Sequence, residues 1–324
     1  MRVLVSGALG FIGSNLARRL VDLGAHVTGI DSSQSASGAN PHNLADVRGL
    51  LRFESIDQRD SANLLWLLAG QEVVFNLAGQ VSHLNSMLDP LNDLELNLRA
   101  QVTLLEGCRE VNRGVRVVYA STRQVYGRPD YVPVDERHPL RPTDVNGINK
   151  AAAEQYHLLY HRVHGIRASV LRLTNTYGPR MLVKNDRQTF LGWFVRQVLD
   201  GETVRIFGDG SQLRDFSYVD DAVEAFLLAG VSDAVVGNVF NLSGSAPASL
   251  LDVTRLLVEL AGQGGYELVP FPAEKKAIDV GSIYADDSRL RRALGWAPRV
   301  ELREGLQHTL DFYRAHRAHY WPSD

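Results

Sequence analysis

The sequence is nearly free of cysteine: Cys108 stands alone among 324 residues. No intramolecular disulfide can form and a cysteine-built zinc site is excluded, so Cys108 reads as a small buried residue in a reducing compartment. Long hydrophobic runs are also missing. No stretch approaches about 18 uninterrupted apolar residues, and Met1 leads into the strand-like Val3-Leu4-Val5 and not into a signal-peptide pattern; a soluble, cytoplasmic protein is the expectation. Nor is there an excess of one charge. The 34 basic and 37 acidic residues sum to −3 and form no long run, which leaves no electrostatic footprint for nucleic acid or an anionic membrane and favours a small-molecule substrate. No repeat of about 20 to 50 residues and no low-complexity tract is visible.

What the chain does have is 45% hydrophobic residues, enough for a full core, in a length that suits a large domain with a smaller one appended. Short β-rich runs alternate with helical patterns through the first half. Strands are expected at Arg2 to Ser6, His26 to Ile30, Val73 to Asn76, Val115 to Ala120 and Ala168 to Leu173; helices at about Gly13 to Leu23, Ala62 to Leu68, Asp93 to Glu110 and Ala151 to Val163. Such alternation signals right-handed βαβ units and a parallel sheet covered on both faces. After Pro179 the pattern loosens to a helix near Phe190 to Leu199, a short strand Val204 to Phe207 and a terminal helix ending near His316, while Phe216 to Gly230 is expected to return to the main sheet. The expected architecture is α/β: a doubly wound parallel sheet over residues 1–178, with a return segment near 215–243, and a smaller C-terminal α/β substrate-binding lobe within 179–324.

Gly7-Ala8-Leu9-Gly10-Phe11-Ile12-Gly13 follows the first strand at once and opens a helix. The first glycine permits the tight turn, the second lets the backbone approach a pyrophosphate, the third lets helix and strand pack closely, and the helix N-terminus attracts the phosphate charge. Strand before, helix after and the end of the next strand agree, so the motif predicts a Rossmann dinucleotide site, with Phe11 and Ile12 among its contacts. The second strand ends at Asp31, 18 residues beyond Gly13. A carboxylate there can accept hydrogen bonds from the adenosine ribose hydroxyls and would repel a 2′-phosphate, so NAD is preferred over NADP, with Ser32 beside it. Asp31 as a turn cap is the alternative, since Ser32 and Ser33 leave the adjoining loop unspecified.

With these residues in place, nearly the whole chain resembles the NAD-dependent epimerase/dehydratase family, the extended short-chain dehydrogenases that include UDP-glucose 4-epimerase. Matching stations run in order: Asp57-Gln58, where the family contacts adenine; Asn76-Leu77-Ala78-Gly79 at the end of the fourth strand; Asn97 in the following helix; Ser121-Thr122-Arg123-Gln124-Val125-Tyr126-Gly127; Lys150; Arg172-Leu173-Thr174-Asn175; and Tyr177-Gly178-Pro179. The segment Ala78-Gly79-Gln80-Val81, with Trp193-Phe194 later, is also similar to the CDP-tyvelose 2-epimerase branch.

The resemblance implies bound NAD, contacted by Asp57, Gln58, Leu77, Ala78, Gly79, Asn97, Lys150 and Leu173 besides the glycine motif. It implies a nucleotide-diphosphate sugar as substrate, UDP-linked in first place, with Gln80, His83, Thr122, Arg123, Asn175, Phe190, Arg205, Phe207, Arg214, Lys276 and Asp279 around it. Arg214-Asp215-Phe216 and Lys276-Ala277-Ile278-Asp279 sit where relatives place cations on the diphosphate, and two cations from separate segments can clamp its charge. Relatives usually carry arginine at the second station, so Lys276 suggests a point-charge contact in place of a bidentate one. For Arg214 a salt bridge to Asp215 or Asp220 is the alternative.

Family members use a Ser/Thr, a Tyr and a Lys, the last two spaced to share one helix face. The tyrosinate removes a hydroxyl proton as hydride leaves the same carbon, and the lysine holds the ribose. Thr122 and Lys150 are present, but the position four before Lys150 is Asn146, whose amide neither ionises nor serves as a base. Lys150, a water held by Asn146 and Thr122, or His83 would have to carry the proton; slow turnover, a sensor role, or a substrate that is already a keto sugar are the other readings. Arg123-Gln124 disfavours a 4,6-dehydratase, whose branch has Asp-Glu there. The expected activity is epimerisation, at C4 in first place, with a C2 epimerase, a net dehydrogenase and a silent binding protein as alternatives. His157 and His161 lie four apart but lack an evident third ligand, so no metal is expected and a partly exposed helix face is the plainer reading. The resemblance also implies a homodimer paired through the helices around Asp93 to Glu110 and Ala151 to Val163.

Overall fold

A computed structural model of the chain describes residues 1–33, 38–185, 189–272, 276 and 279–321. The strands in chain order are β1 (Arg2–Ser6), β2 (His26–Asp31), β3 (Arg52–Ser55), β4 (Val73–Asn76), β5 (Arg116–Thr122), β6 (Arg167–Leu173), β7 (Asn175–Tyr177), β8 (Thr203–Phe207), β9 (Leu213–Tyr218), β10 (Val239–Leu242), β11 (Pro247–Ser249) and β12 (Gly265–Val269). Seven form one sheet in the order β10-β6-β5-β4-β1-β2-β3, every neighbouring pair parallel. Parallel strands covered on both faces read as continuous apolar runs, and β4 is buried at every position. Strand order reverses between β1 and β4, which opens a crevice at the C-terminal ends of the strands. Two small sheets, β11-β9-β7 and β12-β8, lie outside this one.

The first eight α-helices in chain order are α1 (Phe11–Asp22), α2 (Ser61–Leu68), α3 (His83–Leu88), α4 (Pro90–Leu94), α5 (Ala100–Val111), α6 (Val145–His164), α7 (Phe190–Leu199) and α8 (Val219–Val231). The helix expected from Asp93 to Glu110 is interrupted: a π turn over Glu95–Arg99 joins α4 to α5. The helix expected from Ala151 begins six residues earlier, because Asp144 caps it by accepting from the Gly147 N–H at 2.7 Å. Asn146, Gly147 and Asn149 are weak helix formers that hide this first turn from a propensity reading. The C-terminal helix runs Leu302–Tyr320, past His316.

The expected return of Phe216 to Gly230 to the main sheet divides. Phe216 lies in β9 and stays with the three-stranded sheet, while α8 packs against β4 and β5 and β10 pairs with β6 at the sheet edge. His157 is fully buried and not on a partly exposed face. Its ring stacks on Tyr119 at 4.3 Å, and its nitrogens meet the Ala153 carbonyl at 2.8 Å and the Asn76 amide at 3.2 Å. Cys108 on α5 is fully buried, and burial pushes its thiol up to about 12.

One buried ion pair stitches the layers. Arg172 on β6 meets Glu154 on α6 through two contacts of 2.6 and 2.9 Å, Ser121 at the end of β5 donates to the same carboxylate, and Arg172 also donates to the Tyr126 hydroxyl at 2.8 Å. The Tyr126 hydroxyl in turn donates to Asn241 Oδ1 on β10 at 2.6 Å. Removing one partner of a buried pair leaves the other charge uncompensated. Glu154→Ala is therefore expected to lower stability by about 3–5 kcal/mol in urea unfolding, and a loss below about 1 kcal/mol would show the pair to be dispensable.

Candidate active site

A cavity of about 580 Å³ occupies the crevice, running from the glycine motif past the ends of β4 and β5 to the small sheets. At one end Gly7 turns with φ +71°, and a Cβ on Gly13 would run into the Gly7 carbonyl oxygen, so only glycine lets α1 sit this close to β1. Helix α1 starts at Gly10 without a side-chain cap, which leaves its first N–H groups for an anion. Phe11 and Ile12 line this end. Asp31 closes it, accepting from the Leu9 and Ser33 N–H groups at 3.0 and 2.9 Å, with Ser32 beside it. Burial raises the Asp31 carboxyl against these two bonds. The turn-capping and cavity-lining readings of Asp31 thus coexist. Gln58 presents a buried Oε1 that has no hydrogen-bond partner among the described residues, and Asp57, held low by the Arg59 guanidinium, lies beside it. The glycine cradle, the bare helix end, the carboxylate and the orphaned acceptor fit a dinucleotide.

The middle of the cavity is floored by Leu77, Ala78 and Gly79, with Leu173 and Thr122 opposite. Lys150 reaches it from α6, its Nζ donating to the Ala120 carbonyl at 3.1 Å. Burial lowers Lys150 to about 8 against the pull of Asp93 and Glu154. Asn146 lines the same region, but its amide donates to the Gln80 carbonyl at 2.8 Å and to Asp93 at 3.3 Å. Asn97 and Gln80 do not line the cavity. The Asn97 amide is consumed by both backbone groups of Gln80 and by Asp93, and the Gln80 side chain turns back to accept from the Ser82 N–H.

His83 faces the cavity at the start of α3. Its Nδ1 lies 2.5 Å from Asp144 Oδ2, and its Nε2 meets the Gln124 amide. Burial raises the Asp144 carboxyl, but the His83 ring, the Gly147 N–H and the Arg123 charge outweigh it and hold the group below its ordinary value. Asp144 and Gln124 are the residues that sequence reasoning missed; Asp144 carried a signal, as an aspartate three residues before Gly147 at a helix start.

The far end is aromatic and cationic. Phe190 and Phe207 line it with Asn175, Arg123, Arg214 and Asp279. Arg214 donates to the Leu213 and Gly281 carbonyls at 2.9 and 2.5 Å and lies 3.8 Å from Asp279, so its ion-pair partner is Asp279 and not Asp215 or Asp220. Burial lowers Arg214 to about 10, and the nearby Arg123 charge adds to this. Two expected substrate contacts lie elsewhere. Arg205 points to solvent, paired at 2.8 Å with Glu267 directly across from it on β12. Lys276 is exposed and forms no part of the cavity wall. Among the described residues no group of three His, Cys, Asp or Glu is placed to hold a metal, and no helix is long and apolar enough to cross a membrane.

The sequence pattern of the NAD dependent epimerase/dehydratase family matches residues 3–243. The chain is 36% identical over 318 residues to a UDP-glucose 4-epimerase of Mycolicibacterium smegmatis, covering 97% of this chain and 99% of that one. It is 35% identical over 329 residues to a dTDP-glucose 4,6-dehydratase of Streptomyces griseus, covering 99% and 96%. The crystal structure of a Thermotoga maritima UDP-glucose 4-epimerase with UDP-glucose superposes with a TM-score of 0.88 at 31% identity, covering 98% of this chain and all of the other. On this footing of sequence and shape together, the chain belongs to the NAD dependent epimerase/dehydratase family.

Proposed function

We propose that the protein epimerises a nucleotide-diphosphate sugar, UDP-linked in first place, by oxidising one carbinol carbon to a ketone and reducing it on the opposite face, with C4 the favoured carbon. The observation that carries this reading is that one cavity joins the dinucleotide cradle, Thr122 and Lys150 to an aromatic and cationic far end. Bound NAD would supply the hydride-accepting and hydride-donating chemistry of this reaction. Gly7, Gly10 and Gly13 would hold its pyrophosphate, Asp31 its adenosine ribose and Lys150 its other ribose.

The chain's own task is to take a proton from the sugar hydroxyl and return it. Asn146 cannot, and its amide is already spent on Gln80 and Asp93. His83 can. Donation of Nδ1–H to Asp144 fixes the tautomer, leaves the Nε2 lone pair for the hydroxyl and stabilises the imidazolium that forms. The Gln124 amide keeps Nε2 an acceptor until the sugar hydroxyl takes its place. Thr122 Oγ1 accepts from the Gln124 N–H at 3.3 Å, which leaves its own proton to orient the substrate oxygen. A 4,6-dehydratase needs carboxyl groups after Thr122, and Arg123-Gln124 supply none. The pinned Asn146 favours a second reading, a binding protein without turnover.

Incubation with UDP-glucose, UDP-N-acetylglucosamine and CDP-linked sugars, followed by NMR ring couplings and NADH absorbance, should give a new epimer without accumulated NADH. Accumulating NADH would indicate a dehydrogenase, and binding without conversion the silent protein. His83→Gln should lower kcat by about 10²- to 10⁴-fold while NAD stays bound, and an unchanged kcat would remove His83 from the proton path. The exposed Tyr156, Leu159 and Val163 of α6, beside Leu91 and Leu94 of α4, support pairing in a homodimer. Light scattering should then find Leu159→Glu monomeric; a mass unchanged from wild type would exclude this face.

A further inference from the structure

Among the described residues, no carboxylate forms an ion pair with Arg123. Its guanidinium lines the cavity and offers five N–H donors. Among the described residues it makes one hydrogen bond, to Asn175 Oδ1 at a long 3.3 Å, and no ion pair. Three carboxylates are near enough to be felt, Asp215, Asp144 and Asp279, but none comes within ion-pair distance of it. Asp215 spends one oxygen on the Ser243 hydroxyl at 2.6 Å and the Ala285 N–H at 3.0 Å and keeps the other buried and unbonded among the described residues, Asp144 accepts from His83 and Gly147, and Asp279 faces Arg214. Arg214 adds a like charge. A guanidinium that lines a ligand cavity with most of its donors unspent on the protein is placed to pair with an anion that arrives with the ligand.

The two arginines are held in different ways. Arg214 is tied to backbone carbonyls on β9, at the wall formed with Asp279 and Phe207. Arg123 directly follows Thr122 on the turn that leaves β5, and Gln124, the next residue, touches His83. Its head therefore stands between the proton-transfer end of the cavity and the Arg214 wall, where a sugar ring would lie if the diphosphate met Arg214.

We propose that Arg123 is the receptor for a carboxylate carried on the sugar, so that the substrate is a nucleotide-linked uronic acid or an equally acidic sugar. This rests on the nucleotide-sugar reading above. A planar guanidinium matches a carboxylate in a bidentate pair, and Asn175 Oδ1 takes only one of its terminal N–H groups.

Calorimetric titration of the NAD-loaded protein with UDP, UDP-glucose and UDP-glucuronate tests this, with Arg123→Gln and Arg123→Lys as variants and thermal unfolding as the check that both fold. Wild type should bind UDP-glucuronate at least about tenfold tighter than UDP-glucose. Arg123→Gln should lose about 10- to 100-fold in affinity for UDP-glucuronate, the size of a charge-assisted pair, with UDP unchanged and Arg123→Lys in between. Equal affinity of wild type for the two sugars would overturn the inference and leave the nucleotide-sugar reading standing. An equal loss for UDP itself would assign Arg123 to the diphosphate and likewise overturn it. If none of the three ligands binds, the nucleotide-sugar reading falls and this inference with it.

Discussion

The arrangement of the site depends on one buried carboxylate. Asp93, 1% exposed, accepts from three asparagine amides: Asn149 at 2.8 Å, Asn97 at 3.0 Å and Asn146 at 3.3 Å. A carboxylate withdrawn from water needs such donors, and charge-assisted bonds are the stronger kind. These bonds tie α4 and the π turn to the first turns of α6, and through Asn97 and Asn146 they fix both backbone groups of Gln80. Lys150, one turn along α6, is aimed by the same anchor and feels its charge. The π turn carries Asn97 into this contact, in keeping with the frequent use of such turns at functional sites.

That anchor also explains why Asn146 is chemically silent without the site being empty of chemistry. Its amide belongs to the scaffold, and in the proposed reaction the proton is instead carried by His83, which is paired with Asp144. Asp144 does two things with two oxygens: one begins α6, the other holds the imidazole. A single residue thus couples the helix that delivers Lys150 to the orientation of His83.

Much of the frame was legible in the sequence, for reasons that differ along the chain. The ends of β1 and β4 were readable because parallel strands are apolar throughout and bounded by polar turns. The glycine motif was readable because backbone geometry at Gly7 and Gly13 admits no substitute. The start of α6 was not, since a capped run of poor helix formers contradicts its own propensity. Asn97 and Gln80 were expected at the ligand from the family resemblance, but their polar atoms satisfy each other, Asp93 and neighbouring backbone first. Arg205, expected from the resemblance, shares a face of β8 with Phe207, yet only Phe207 at the strand end reaches the cavity, and Glu267 on the neighbouring strand claims the arginine. The pairing of His83 with Asp144 spans sixty-one positions, and no local pattern announces a contact of that range.

The solitary cysteine has a use that follows from where it lies. Cys108 sits on α5 beneath the cluster formed with Leu64, Leu68, Leu104 and Val117, and burial keeps its sulfur in the unreactive thiol form. Reagents that attack thiolates find no target while that layer is closed. With no second sulfhydryl to confuse the signal, the pace at which such a reagent labels the native protein becomes a clock for the lifting of α5 from the sheet, and so for the local opening of the layer that backs the cofactor cradle.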